Sequence, residues 1–165
     1  MARTKYGKYI ICDDSARPKH DVREAEPFQA IMPQIAIPVA YLDNKSVGSS
    51  FYAECMWYHS ASDVRVEPHV HDFDEVLAFF GSNPADFHDL GGEIELWLGD
   101  EKHMLTKSCL VFIPKGLQHC PLVFRRVDRP IFHFSAGPTR GYGKKVKEVA
   151  KILLDPPFTK GDKRS

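Results

Sequence analysis

The chain has 165 residues, with 22 Lys plus Arg against 22 Asp plus Glu, for a formal net charge of zero. That length supports one domain with a sizeable core, and a neutral chain has no general attraction for nucleic acid or anionic lipid. No apolar run approaches the roughly 18 residues of a membrane span, and the opening MARTKYGKYIICDD lacks a signal-peptide apolar core, which predicts a cytoplasmic protein without a membrane partner.

Residues 1–50 read as an irregular N-terminal arm with edge strands. The charged stretch ARPKHDVREAE and then Pro27, Pro33 and Pro38 favour short extended pieces over a helix. From Phe51 the texture changes. FYAECMWYH is aromatic and alternating, VLAFF and EIELWL are short and bounded by Gly, and CLVFIP, CPLVF and PIFHFS follow closely. Many short strands with turn signals and no helical period between them predict an all-β antiparallel barrel or sandwich over 51–137. The segment GSNPADFHDLGGE, residues 81–93, is longer than a hairpin needs. It reads as a surface loop, or else as a lid that brings Asp86 or His88 to a ligand. In 138–165, KKVKEVAKILL places Val146, Val149, Ala150 and Leu153 on one helix face, and Pro156 and Pro157 end it. A short C-terminal helix docked on the barrel wall is expected there. Cys12, Cys55, Cys109 and Cys120 form no Cys-x-x-Cys pair and read as reduced, packed thiols. Cys120 becomes an oxidation-prone neighbour if His119 binds a metal.

The chemistry concentrates in EPHVHDFDE and PKGLQH. On an extended strand side chains alternate, so His69 and His71 point to one face. A tight turn through Asp72, Phe73 and Asp74 lets Glu75 rejoin that face. His119 arrives from a separate strand, after the turn Pro114-Lys115-Gly116. Three imidazoles and a carboxylate suit iron, manganese, nickel, copper or zinc. His20, His59, His88 and His103 have no such companions and read as ordinary histidines.

The two segments resemble the paired motifs of the cupin superfamily: two His spaced by one residue, then Glu and Gly, and later Pro-x-Gly two residues before a His. Here they are HVHDFDE with Gly81, and PKGLQH, and the resemblance covers roughly residues 50–136. It implies a jelly-roll β-barrel with one divalent transition metal (Fe, Mn, Ni or Zn) in its mouth, held by His69, His71, Glu75 and His119. Four positions depart from the motifs: Asp63 and Ser108 stand where Gly is usual, Gly81 comes one residue early, and Val123 replaces an Asn. All are turn or support positions, none a ligand.

An open position on such a metal suits a small oxygenated substrate, dicarbonyl or aromatic-derived, undergoing dioxygenation, isomerisation or decarboxylation. Two alternatives stand beside the enzyme: a non-catalytic small-molecule sensor, and a structural barrel whose ligands are relics. If Glu75 points inward, Leu77 and Phe79 do too. On PIFHFS, strand parity leaves open whether His133 or Phe132 and Phe134 face in. With Trp57 and Tyr58 these residues suggest an aromatic bowl, with Phe79 and His133 as candidate substrate contacts. The resemblance also implies a homodimer, for which the proline-punctuated arm is the candidate exchanged element.

Overall fold

The computed structural model describes residues 5–17 and 26–141, so the helix expected over KKVKEVAKILL lies outside the described residues. A single turn of 3-10 helix, Gly7–Tyr9, precedes α1 (Glu26–Ile35). Eight strands follow: β1 (Ala36–Leu42), β2 (Tyr52–Tyr58), β3 (Glu75–Gly81), β4 (Asp89–Leu98), β5 (Glu101–Lys107), β6 (Cys109–Ile113), β7 (His119–Val127) and β8 (Ile131–Gly137). Among the described residues, no helix is long and apolar enough to cross a membrane.

Alternating side chains sort these strands into two facing layers. One sheet has the order β1-β2-β8-β3-β6 and the other β5-β4-β7. Isolated antiparallel bridges from Val66 to Leu122 and from His69 to His119 add a fourth, very short strand beside β7. From β2 onward the chain crosses repeatedly between layers: to the 66–69 segment, back to β3, over to β4 and β5, and so on to β8. That crossing pattern is a jelly roll.

The core lies between the layers. Met56, Leu77, Phe79 and Ile131 of the larger sheet meet Ile94, Leu96, Leu122 and Phe124 of the smaller one. The opposite face of the larger sheet is also apolar. In register across the strands run Ile37, Trp57, Phe132 and Phe80; then Ala40, Cys55, Phe134, Ala78 and Leu110; then Leu42, Ala53, Ala136, Val76 and Phe112. No charged side chain interrupts these rows.

Three sequence expectations change. Residues 26–35 are helical despite Pro27 and Pro33. Pro27 sits in the first turn, where its missing N–H has no intrahelical partner anyway. Pro33 sits in the last turn, and packing of Ile31 and Met32 against the core offsets its lost donor. Pro38 is accommodated at a register shift on the edge strand β1. Second, β5 was not legible, since EKHMLTK is an exposed edge strand without apolar alternation. Third, β4 begins at Asp89, which shortens the supposed lid to 82–88. That loop is tied down by Ser108, whose amide donates to the His88 carbonyl at 2.9 Å.

Candidate metal centre

Motif one is brought to motif two by backbone hydrogen bonds. His69 and His119 exchange N–H···O bonds of 3.0 Å in both directions. The Gly116 amide donates to the His71 carbonyl at 2.9 Å, and the Lys115 amide donates to Asp74 Oδ1 at 2.8 Å. Gly116 has φ +81°, a conformation that glycine adopts without steric cost. The Pro-Lys-Gly turn thus does two jobs: it reverses the chain and ties β7 to the segment that carries the other histidines.

The three rings converge. Ring centroids are 4.8 Å apart for His69 and His71, 4.3 Å for His69 and His119, and 5.1 Å for His71 and His119. Glu75, at the start of β3, reaches them from the opposite sheet: its Oε2 lies 3.5 Å from His71 Nε2 and 3.3 Å from His119 Nε2. Donor atoms of His71, Glu75 and His119 all lie within 4.8 Å of one another, and so do those of His69, His119 and Cys120. The four residues singled out from the sequence meet, with Cys120 beside them.

Hydrogen bonds determine which ring nitrogens face inward. His69 Nδ1 is 2.7 Å from the Glu67 carbonyl, and His119 Nδ1 is 3.1 Å from the Leu117 carbonyl. A carbonyl can only accept, so each Nδ1 carries the hydrogen, and in the neutral form of the ring Nε2 is left bare toward the interior. His119 Nε2 is buried without a hydrogen-bond partner. It therefore faces the Glu75 carboxylate lone pair against lone pair, an arrangement that calls for a cation between them. Burial, with the His119 charge next, pushes the His69 pKa down to about 3, so its ring is neutral and able to ligate at neutral pH. Burial alone would raise Glu75, but hydrogen bonds from His119 and His71, made when those rings carry a proton on Nε2 in the metal-free chain, outweigh it and hold the carboxyl below its ordinary range. Ser135 on β8 donates to Glu75 Oε1 at 2.9 Å, and Tyr52 is within 3.2 Å of the same hydroxyl. The donor set and its orientation fit a transition metal.

Beside the cluster lies a cavity of about 40 Å³, bordered by Met56, Tyr58, Leu77, Cys120 and His133 among others. That exceeds the roughly 10–15 Å³ that one water needs, and it favours a small ligand. Parity on β8 is now resolved: His133 faces in and is 5% exposed, while Phe132 and Phe134 face out. Phe79, expected to touch substrate, instead stacks behind His133 with centroids 4.8 Å apart and does not border the cavity. Its role is packing. Trp57 also leaves the expected bowl, because alternation on β2 that turns Tyr58 inward turns Trp57 outward. Asp86 and His88 lie on the tied surface loop, away from the cavity. Two residues escaped sequence reasoning. Arg17 borders the cavity and pairs at 2.6 Å with Glu54, whose side chain is fully buried; nothing local in the sequence signals that pairing. Ser135 could have been found, since it shares a strand face with His133.

The departures from the motifs find local reasons. Ser108 accepts from the Gly81 amide at 3.0 Å and donates to the Phe87 carbonyl at 2.6 Å. Asp63 pairs with Arg125 at 2.8 Å. The jelly-roll crossing order and the meeting of the two motifs at one end of β3 and β7 settle the architecture. The chain is a jelly-roll barrel in which the two cupin-like motifs meet.

No protein-family model and no curated protein matches the chain. Solved structures do. KdgF from a Halomonas species aligns at 18% identity over 64% of this chain and 78% of its own, with TM-score 0.40. Hydroxypropylphosphonic acid epoxidase from S. wedmorenis, in complex with fosfomycin, aligns at 12% identity over 64% of this chain and 52% of its own, with TM-score 0.42. A recombinant oxalate oxidase in complex with glycolate aligns at 13% identity over 67% of this chain and 54% of its own, with TM-score 0.45. The chain thus spans about half the length of the latter two proteins.

Proposed function

We propose that this chain is a metal-dependent enzyme in which His69, His71, Glu75 and His119 hold one divalent transition metal (Fe, Mn, Ni or Zn). Its substrate would be a small oxygenated compound transformed by dioxygenation, isomerisation or decarboxylation. The observation that carries the reading is the buried pair of facing lone pairs, His119 Nε2 and Glu75 Oε2 at 3.3 Å. When bound there, the metal supplies Lewis acidity and, if it is iron or manganese, electron transfer.

The remaining work belongs to the protein's own groups. The Glu67 and Leu117 carbonyls keep His69 and His119 in the tautomer that presents Nε2. Ser135 holds one carboxylate oxygen of Glu75, leaving the other to face the rings. Met56, Leu77 and Leu122 exclude bulk water from the cavity, which strengthens every charge interaction inside it. His133 donates Nδ1–H to the Ala78 carbonyl at 3.1 Å, so its ring is held in place at the cavity wall. It is the group best placed to hydrogen-bond a substrate oxygen or move its proton. Arg17, fixed by Glu54, adds a cationic border.

Metal analysis of protein purified without added ions tests this reading. About one transition metal per chain is expected, lost in His119→Ala while the circular dichroism stays that of a β protein. Metal content unchanged by that substitution would overturn the proposal. Turnover of dicarbonyls, catechols or hydroxy acids by the loaded protein, in air or without it, then separates an enzyme from a binding protein.

A further inference from the structure

Strand β7 carries one residue more than its partner at the metal centre. Leu122 pairs with Leu96 of β4, and His119 with Leu98, so β7 advances three residues where β4 advances two. The surplus falls at Cys120 and Pro121. Proline suits such a bulge because it has no N–H to give to the ladder, and a bulge re-aims the side chains around it. On a regular strand successive side chains point to opposite faces. His119 and Cys120 instead both border the cavity, at 1% and 4% exposure. Cys120 has φ +70°, in the left-handed region that crowds any residue with a Cβ. Glycine would adopt that conformation without steric cost; a thiol stands there instead.

The thiol is not alone. Cys120 Sγ and one ring nitrogen each of His69 and His119 lie within 4.8 Å of one another, as do the donors of His71, Glu75 and His119. His119 belongs to both groups, and its Nε2 is buried without a hydrogen-bond partner. The other cysteines stand apart: Cys12 is exposed, and Cys55 and Cys109 are half-buried on β2 and β6. Thiolate sulfur is a soft donor that favours zinc, whereas manganese prefers oxygen donors. Building on the metal-binding reading above, we propose that Cys120 Sγ is a fifth protein ligand beside His69, His71, Glu75 and His119, its proton passing to solvent as the metal binds. The site then selects a thiophilic divalent ion, zinc ahead of manganese.

Cobalt(II) loaded into the full chain under nitrogen, without added thiol, reads the sulfur directly. A thiolate on cobalt gives a near-ultraviolet charge-transfer band that imidazole and carboxylate do not. The wild type is expected to show it, and Cys120→Ser to lose it while keeping the same circular dichroism and about one cobalt per chain. Zinc affinity, read by competition with a chromophoric chelator, should fall by about tenfold or more in that variant, and manganese affinity should stay as in the wild type. If Cys120→Ser fails to fold, the combined variant Cys12→Ser, Cys55→Ser and Cys109→Ser leaves Cys120 as the one thiol of four, and the band should persist. Its loss there, or its survival in Cys120→Ser, overturns the proposal. Cobalt bound with visible bands but no charge-transfer band removes Cys120 from the ligand set and leaves the four-ligand reading standing. A chain that takes up no cobalt overturns both.

Discussion

The two sheets of this barrel distribute polar and apolar groups differently. Apart from the inward His119, the smaller sheet is conventional: Ile94, Leu96, Leu122 and Phe124 face the core, while Glu95 outside accepts from Trp97 Nε1 at 2.8 Å and pairs with Arg125 at 3.0 Å. The larger sheet turns Glu54, Glu75, His133 and Ser135 inward, all buried, and turns three apolar rows outward. The difference lies in what each face of the larger sheet carries. Buried polar groups are costly unless they are paired or bind something, so the inward set marks the candidate site. The outward rows are apolar where the smaller sheet carries charged pairs.

The comparison can be pressed at each face. The largest effect is expected at the inner face on acidification. His69 is held near pKa 3 in the folded chain, against an ordinary 6.5, so between those values the unfolded chain binds the proton more readily. Stability of the metal-free protein is thus fully present above about pH 6.5 and falls as pH drops toward 3, by on the order of 5 kcal/mol from this group alone. Glu75, with its pKa lowered, loses its contribution in the same direction as it protonates. Thermal melts from pH 7 to pH 4 should show the decline, and His69→Gln should flatten it. A slope unaltered by that substitution would mean that the ring is not buried as described.

A smaller effect is expected one residue behind the site. Ser135→Ala removes the donor to Glu75 Oε1 while keeping the fold. Metal affinity should fall by about 10–100-fold, as for other groups that orient a ligand. Competition with a chromophoric chelator measures it, and unchanged affinity would remove Ser135 from the site. The smallest effect belongs to the outer face of the other sheet. Arg125→Ala breaks exposed pairs with Glu95 and Asp63, and urea unfolding should register less than about 1 kcal/mol. A larger loss there would contradict the contrast between a merely solvated face and a working one.

Much of the site was legible before the fold. The His-x-His spacing placed two rings on one face, and the Pro-Lys-Gly turn delivered His119, because both are consequences of local backbone geometry. The strands from β2 to β8 were visible too, apart from β5, whose exposed edge position removes the need for alternation. Helix α1 was hidden, because local propensity disfavours a helix with two prolines and only docking against the core reverses that preference. The Arg17–Glu54 pair was equally hidden, since it joins positions 37 residues apart through a buried contact.

By itself, the sequence determined the all-β class and the identities of the four converging donors, since spacing along a strand dictates which side chains share a face. Only the tertiary structure decided which way β8 faces, and hence that His133 rather than Phe132 and Phe134 borders the cavity. It alone disclosed that the larger sheet is apolar on its outer side. A strand with apolar residues at both parities reads the same in either orientation, and only pairing with its neighbours chooses one.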